Sequence, residues 1–560
     1  MSQAKPPSNA VANAPAVTVE TPPTSLLGIL SRLGPGLIIA GSIVGSGELI
    51  GTTKTGAQAG FWLLWLIVVG CIIKVFIQVE LGRDAIVRGK TTLDALSEVP
   101  GPAIRGHGNW LIWYFFLMFF ASIGQLGGIV GGVGQSMALS FPLTAQGRET
   151  NERMNVETEL TVAEAEARIA KRKLDSGDPQ AQAEVERLES AAAELREQKS
   201  QLEATQPKDA DGKPLELPYW TDDKIWAVVI ALFTSVLLVV GRYRLIERVT
   251  TTMVASFTLM TILTVLMLQT TISFSISWQD LVNGFSFRLP PPNPAAGQAA
   301  ANSLATALKT FGVIGVGASE LISYPYWCIE KGYARFTGPK DESEGWAQRA
   351  RGWMNVMRWD AWCSMVIYTV ATVAFYLLGA AVLKRANLDP KDDSLMRTLN
   401  VMYEPVFGAW SGWLFLIGAF AVLYSTYFVA NAGHSRVFSD ALRVAGVAAN
   451  TEDARRRRIT FLSGFLPLLC LAVFLLMPKA PDQLVLFSGM MQAIMLPMLS
   501  VAALFFRYRR NDKRVSPGIV WDIFLWISTI GMFIAAGALV YSEVNKALSK
   551  KPTPAIVKPA

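Results

Sequence analysis

Eleven apolar stretches punctuate the chain, near 35–57, 59–81, 109–140, 222–241, 248–272, 306–333, 358–382, 409–431, 459–477, 483–506 and 519–541. Each approaches or exceeds the ~20 apolar residues that a helix needs to cross a bilayer. In lipid the backbone polar groups must be satisfied within the protein, which leaves helices as the available conformation for single apolar segments. The sequence therefore predicts an all-α polytopic membrane protein with about eleven transmembrane helices. Charged residues make up only 17% of the 560, against roughly 25% in soluble domains. Several of the 16 Trp lie near the ends of apolar runs, where aromatic rings prefer the membrane interface.

The positive charge is distributed as topology. With the N-terminus cytoplasmic, the inside loops carry Arg83, Arg88, Lys90 and Arg105, then Arg242, Arg244 and Arg248. Later inside loops carry Lys331, Arg335, Lys340, Arg349 and Arg351, then Arg436, Arg443 and Arg455–Arg458, and finally Arg507, Arg509, Arg510, Lys513 and Arg514. The loops left outside at 273–305 and 478–482 are nearly uncharged, as the positive-inside rule asks. A multi-pass protein of the plasma (inner) membrane is expected, and the net charge of +7 calls for no nucleic acid. Residues 1–30, rich in Pro, Ala and Ser and without a signal peptide's apolar core, are expected to form a disordered cytoplasmic tail. Residues 543–560 are expected to form a C-terminal tail. Cys71, Cys328, Cys363 and Cys470 lie in or beside apolar runs, with no spacing that suggests zinc or disulfides.

Residues 143–217 do not belong in a membrane. They are highly charged, rich in Ala, Glu, Lys and Leu, and Leu188, Leu195 and Leu202 repeat at seven. The DSGDP sequence around Gly177 and Pro179 separates two helical stretches. A helical hairpin projecting from the outer face is expected, between helices 1–3 (31–142) and helices 4–11 (218–542). It offers a surface for a protein partner or for self-association.

Two of the apolar runs are interrupted in the same way. VGSGELIG at 44–51 and VGASELIS at 316–323 share Val-Gly-small-small-Glu-Leu-Ile. Glycines and a carboxylate are costly in a spanning helix and are tolerated where they line a cavity. The breaks fall in runs one and six, so runs 1–5 and 6–10 form two halves. Five is odd, so the halves enter the membrane in opposite senses. This is an inverted 5+5 repeat with broken helices 1 and 6, the amino-acid/sodium symporter-type fold, whose substrate sits between the breaks. Glu48 and Glu320 are then expected to approach one central cavity, beside carbonyls freed at Ser42, Gly45, Gly317 and Ala318. Two carboxylates with several carbonyls suit a divalent cation, which would displace protons on entry. The ion is cargo, and no cofactor is expected.

The run from Gly34 to Trp65, GPGLIIAGSIVGSGELIGTTKTGAQAGFWLLW, resembles the first span of Nramp-type divalent-metal transporters, which has a GP opening, an Asp-Pro-Gly-Asn break and a Gly-x-x-Leu-Leu-Trp ending. FGVIGVGASELISYPYW is similar to their sixth span, with its Gly-Ala-Thr-x-Met-Pro-His break. SGMMQAIMLPML is similar to the segment before a Leu-Pro pair in their tenth span. The likeness spans about 30–540 outside the insertion. Within it, the family's metal-binding Asp falls on Gly45, its Asn on Glu48 and its Met on Leu321, while the carbonyl ligands fall on Ser42 and Ala318. The tenth-span Gln falls on Gly489, with Gln492 about one turn further on. The resemblance thus implies a divergent member with two carboxylates and no thioether, closer to the Nramp-related magnesium transporters. A harder ion is expected, Mg²⁺ or Mn²⁺ ahead of Cd²⁺, with Fe²⁺ also admitted.

The family's acidic pair in the third span falls on Gln125 and Gly128, and its sixth-span His on Ser323. If protons are carried, Glu48 and Glu320 are the remaining candidates. Lys54 reads either as a counter-ion to a carboxylate or as a charge reaching the outer mouth, and Gln492 as a gating contact. His107 and His434 are expected to play surface or interfacial structural roles. Uptake of divalent cations into the cytoplasm is the leading function. A sodium-coupled carrier of small solutes and a non-transporting sensor remain open. No nucleophile–base constellation, P-loop or zinc signature suggests an enzyme.

Overall fold

The computed structural model describes residues 19–175, 181–205, 220–240, 243–271, 273–291, 299–390, 394–478 and 481–549. Among them there is no strand, only an isolated bridge between Ala103 and Asn109. Eight helical segments are long and apolar enough to cross a membrane: Gly47–Arg88, Trp110–Ser140, Asp222–Val240, Glu344–Ala386, Ser411–Val444, Glu452–Leu476, Pro481–Arg510 and Ile519–Leu548. They cover the expected spans 2, 3, 4, 7, 8, 9, 10 and 11. Span 5 is the helix Tyr243–Met267. Spans 1 and 6 are not continuous helices, because their glycine-rich centres unwind.

The two broken spans lie against each other in opposite senses. The first half of span 1 (Pro35–Ile43) packs on the second half of span 6 (Ala318–Lys331), and the second half of span 1 (Thr53–Ala59) on the first half of span 6 (Ala299–Phe311). Spans 2, 7, 8 and 10 pack against this pair. Two glycines permit the closest approach. A Cβ on Gly312 would stand 1.9 Å from the Gly489 carbonyl oxygen, and one on Gly489 would stand 2.3 Å from the Lys309 carbonyl oxygen. Spans 6 and 10 therefore meet backbone to backbone, as small residues allow in membranes.

The insertion forms the two expected helices, Ala145–Asp175 and Ala181–Thr205. Leu188 packs with Ala170 and Val185, and Leu195 with Leu160, Ala163 and Ala192. Gly177 and Pro179 of the turn lie outside the described residues. The hairpin does not project freely: it rests on the short helices Lys384–Ala386 and Leu395–Asn400. Buried Arg397 donates to Asn151 Oδ1 at 2.9 Å and to Asn155, and Thr144 donates to Asp222 at 2.9 Å. A buried guanidinium needs acceptors, and here the insertion supplies them.

The N-terminal tail is ordered where it is described. Trp353 Nε1 donates to the Glu20 carbonyl at 3.1 Å, Glu20 N donates to the Phe336 carbonyl at 3.1 Å, and Leu26–Arg32 is a helix. The expectation of disorder over 1–30 thus fails for residues 19–30, because polar composition did not reveal these docking contacts. Residues 1–18 lie outside the described set. At the other terminus Ile519–Ser549 continues as helix past 543, and 550–560 lie outside it.

Candidate functional site

Span 1 enters as a helix with Pro35 in its first turn, where a missing N–H costs nothing. Its free N-terminal amides are taken by Asp360 of span 7, which accepts from Gly34 at 2.9 Å and from Gly36 at 2.5 Å. The α-helix ends at Ile43, and Gly47–Thr52 follow as a π-helical turn. Such local rewinding often marks functional positions. Span 6 is interrupted from Gly312 to Gly317, where Gly315 adopts a φ of +55°, a region that favours glycine.

Glu48 is fully buried on the π-turn and joins the two breaks. Its carboxylate accepts from Gly45 N and Gly315 N, both at 3.2 Å, and from the Thr372 hydroxyl at 3.3 Å. Lys74 of span 2 holds the same turn of span 6 from the opposite polarity. Its ammonium donates to the carbonyls of Phe311 and of Ile314, the latter at 2.8 Å, and lies 4.5 Å from the centre of the Phe311 ring. The unwound turn thus has its amide held by a carboxylate and its carbonyls by an ammonium.

Glu320 stands elsewhere. Two adjoining cavities, each with about 20 Å³ of space, lie between the breaks and spans 3 and 8. Glu320, Ser42, Ser319 and His434 line both, and Ser46, Gln125 and Thr426 line one. Each volume holds about one water-sized particle. Glu48 lines neither. The two carboxylates expected around one ion are therefore not brought together in this conformation, because Glu48 is turned toward the donors of Gly315 and Thr372.

Among the expected carbonyls, only Ser42 belongs to a cavity-lining residue, and its oxygen accepts from Thr426 Oγ1 at 3.0 Å. The Gly45 carbonyl accepts from Leu49 N at 2.8 Å and that of Gly317 from Leu321 N at 2.9 Å. Ala318 is fully buried in the first turn of its helix. At Gly45 a Cβ would stand 1.8 Å from Thr426 Oγ1, so the hydroxyl of span 8 fills the space a side chain would need. A Cβ on Gly317 would stand 2.5 Å from Glu320 Oε2 and 2.8 Å from Gln492 Oε1. Gln492 accepts from Ser319 N at 3.1 Å and donates to Gln125 Oε1 at 3.1 Å. Gln125 in turn donates to Ser46 at 3.1 Å, completing a polar network across spans 10, 6, 3 and 1.

Lys54 is buried rather than at a solvent-facing mouth. It donates to Asp482 at 2.8 Å and to the Pro390 carbonyl at 2.9 Å, with Asp389 at 3.9 Å. These contacts tie span 1 to span 10 on the hairpin side of the breaks. His434, expected at a surface or interface, is only 6% exposed. Its Nε2 lies 3.0 Å from Ser319 Oγ. Sequence reasoning also passed over Lys74, Thr372 and Thr426. Lys74 carried a usable signal, a lysine deep within an apolar run; the two threonines carried none.

Paired breaks in antiparallel spans, with a polar cavity beside them, define a helical transporter scaffold with the symporter-type fold. Residues 215–542 match the family model described as Natural resistance-associated macrophage protein-like, and the chain belongs to this Nramp family. The fold is similar to that of the Eremococcus coleocola manganese transporter. Against its histidine-to-alanine variant the TM-score is 0.57 at 15% identity, covering 96% of this chain and 92% of that one. A glutamate-to-alanine variant gives 0.56 at 15% identity with the same coverage. The complex of that transporter with an aromatic bis-isothiourea compound gives 0.52 at 13% identity, again covering 96% and 92%. No curated protein matches the chain in sequence.

Proposed function

We propose that the protein carries divalent metal ions across the plasma membrane toward the side bearing the basic loops, the cytoplasm. One observation carries this reading: the Glu320 carboxylate and Ser42, from opposite breaks, face the same small polar space. A carboxylate, a carbonyl and hydroxyls in a volume of one water make an oxygen-rich site suited to a partly dehydrated cation. An organic solute does not fit there, and an anionic one would meet Glu320. Family membership and the likeness to a manganese transporter support the same substrate class.

In this reading Glu320 meets the ion, with Ser42 O and Thr426 Oγ1 within the same wall. Glu48 fixes the relative position of the two breaks. The Lys54–Asp482 contact closes the hairpin side, while Ile39, Ser323, Trp327 and Gly433 extend the cavity toward the basic-loop side.

The test is uptake of Mn²⁺ and Mg²⁺ into liposomes containing the full-length protein, with internal pH followed to detect coupled protons. Saturable divalent uptake, reduced at least tenfold in Glu320→Gln, is expected. Equal uptake by protein-free and protein-containing vesicles, or an unaffected Glu320→Gln, would overturn the proposal.

A further inference from the structure

Among the described residues a histidine is the one nitrogen ligand beside this space, and nothing in the family resemblance leads to it. His434 lies on span 8 (Ser411–Val444), with its ring against Phe119 at 5.2 Å between centres. It lines both cavities together with Glu320. Its Nε2 is engaged by Ser319 Oγ, and its Nδ1 has no hydrogen-bond partner among the described residues although the side chain is buried.

That combination is chemically specific. A buried ring nitrogen without a partner forfeits its hydration, so such atoms are rare in folded proteins. With Nε2–H donating to Ser319, Nδ1 carries an open lone pair, the form in which imidazole binds metals. Ser319 then acts as the hydroxyl that fixes ring orientation, the part that hydrogen-bond partners behind a ligating histidine play. Ser319 is itself held through its amide by Gln492. The position of the ring is thus set by the polar network already described.

We propose that His434 joins Glu320 as a ligand to the transported cation, which makes the site favour Mn²⁺ and Fe²⁺ over Mg²⁺. The inference rests on the divalent-cation reading given above. Imidazole adds affinity for borderline transition ions but little for Mg²⁺, which prefers oxygen and retained water. The loss of a thioether at Leu321 removes one source of transition-metal preference, and the span 8 imidazole restores part of it by a different route.

Pulsed electron paramagnetic resonance on the full-length protein loaded with Mn²⁺ reads the bond directly. Modulation from a coordinated nitrogen is expected, and it should change character when the protein is labelled with ¹⁵N-histidine. The chain has only two histidines, so the signal should survive His107→Gln and vanish in His434→Gln. In liposomes the wild type should take up Mn²⁺ in a hundredfold excess of Mg²⁺. His434→Gln should lose at least tenfold of that discrimination, with Mn²⁺ uptake falling further than Mg²⁺ uptake. Absence of nitrogen modulation in Mn²⁺-loaded wild type would overturn the proposal without depending on any variant's folding. So would an unchanged Mn²⁺/Mg²⁺ ratio in a folded His434→Gln, and in both cases divalent uptake itself would stand. Failure to bind or move any divalent ion would instead remove the transport reading and this inference together.

Discussion

The Glu48 carboxylate in one broken span accepts a hydrogen bond from the Gly315 amide in the other at 3.2 Å. This single contact joins the centres of two segments separated by most of the chain's first half. Glu48 thereby sets how far apart the two breaks stand, and so the shape of the space that Glu320 faces.

Glu48→Gln should therefore act on geometry. An amide presents one oxygen and one NH₂ to a pocket with three donors, so at least one of Gly45, Gly315 and Thr372 loses its acceptor. Leaving a buried donor without its acceptor costs about 1–3 kcal/mol. A drop in thermal stability in detergent, accompanied by reduced uptake of every divalent ion alike, is the expected outcome. A selective change in ion preference would contradict this role.

Gly45→Ala should be poorly tolerated, since the new methyl would collide with Thr426 Oγ1. Overpacking of this kind costs roughly 1–3 kcal/mol. Adding Thr426→Ala should recover part of the loss in melting temperature. Equal stability of Gly45→Ala and wild type would show that span 8 yields easily at this point.

Lys54→Met removes the ammonium facing buried Asp482. Breaking a buried pair from one side costs about 3–5 kcal/mol, whereas replacing both partners by apolar groups is often close to neutral. Lys54→Met/Asp482→Leu should regain stability yet lose closure on the hairpin side. A membrane-impermeant thiol reagent should then label Thr310→Cys faster than it does with the pair intact. No difference in labelling would mean that the pair is no latch.

Acid should loosen the loop between spans 10 and 11. Hydrogen bonds from Arg514, and then from Lys340, hold the Asp512 carboxyl well below its usual value of 3.8. A carboxylate depressed in the folded state stabilises it fully above the unfolded value and ceases to do so as pH falls through the folded one. Protection against hydrogen exchange across 511–518, taken relative to the intrinsic rate at each pH, should be constant from pH 7 to about pH 5 and fall below about pH 4. Asp512→Asn should show low protection throughout and lack this pH dependence.

Much of the architecture was legible because lipid leaves the backbone few options. Run lengths predicted helices, and the helices lie where the runs are. The repeated VGxxELI sequence located both breaks, since glycine and glutamate in an oily segment must serve something other than a continuous helix. Cavity-lining Ser42 and Glu320 were also within reach of that argument. The partners of those residues were not. Sequence symmetry placed Glu48 and Glu320 at equivalent positions, but equivalence along the chain does not fix a rotamer. The donors at Gly315 and Thr372 turned one carboxylate aside, and the other was left to face the cavity.

What the sequence determined by itself is set by local cost: which segments can enter a membrane, and where a helix must stop. Only tertiary structure decided which side chain meets which. His434 came to Ser319, Thr426 to Gly45, and Lys54 to Asp482 through contacts between spans far apart in the chain. Such contacts arise from packing and from the need to satisfy each buried polar atom, and no periodicity within one span records them.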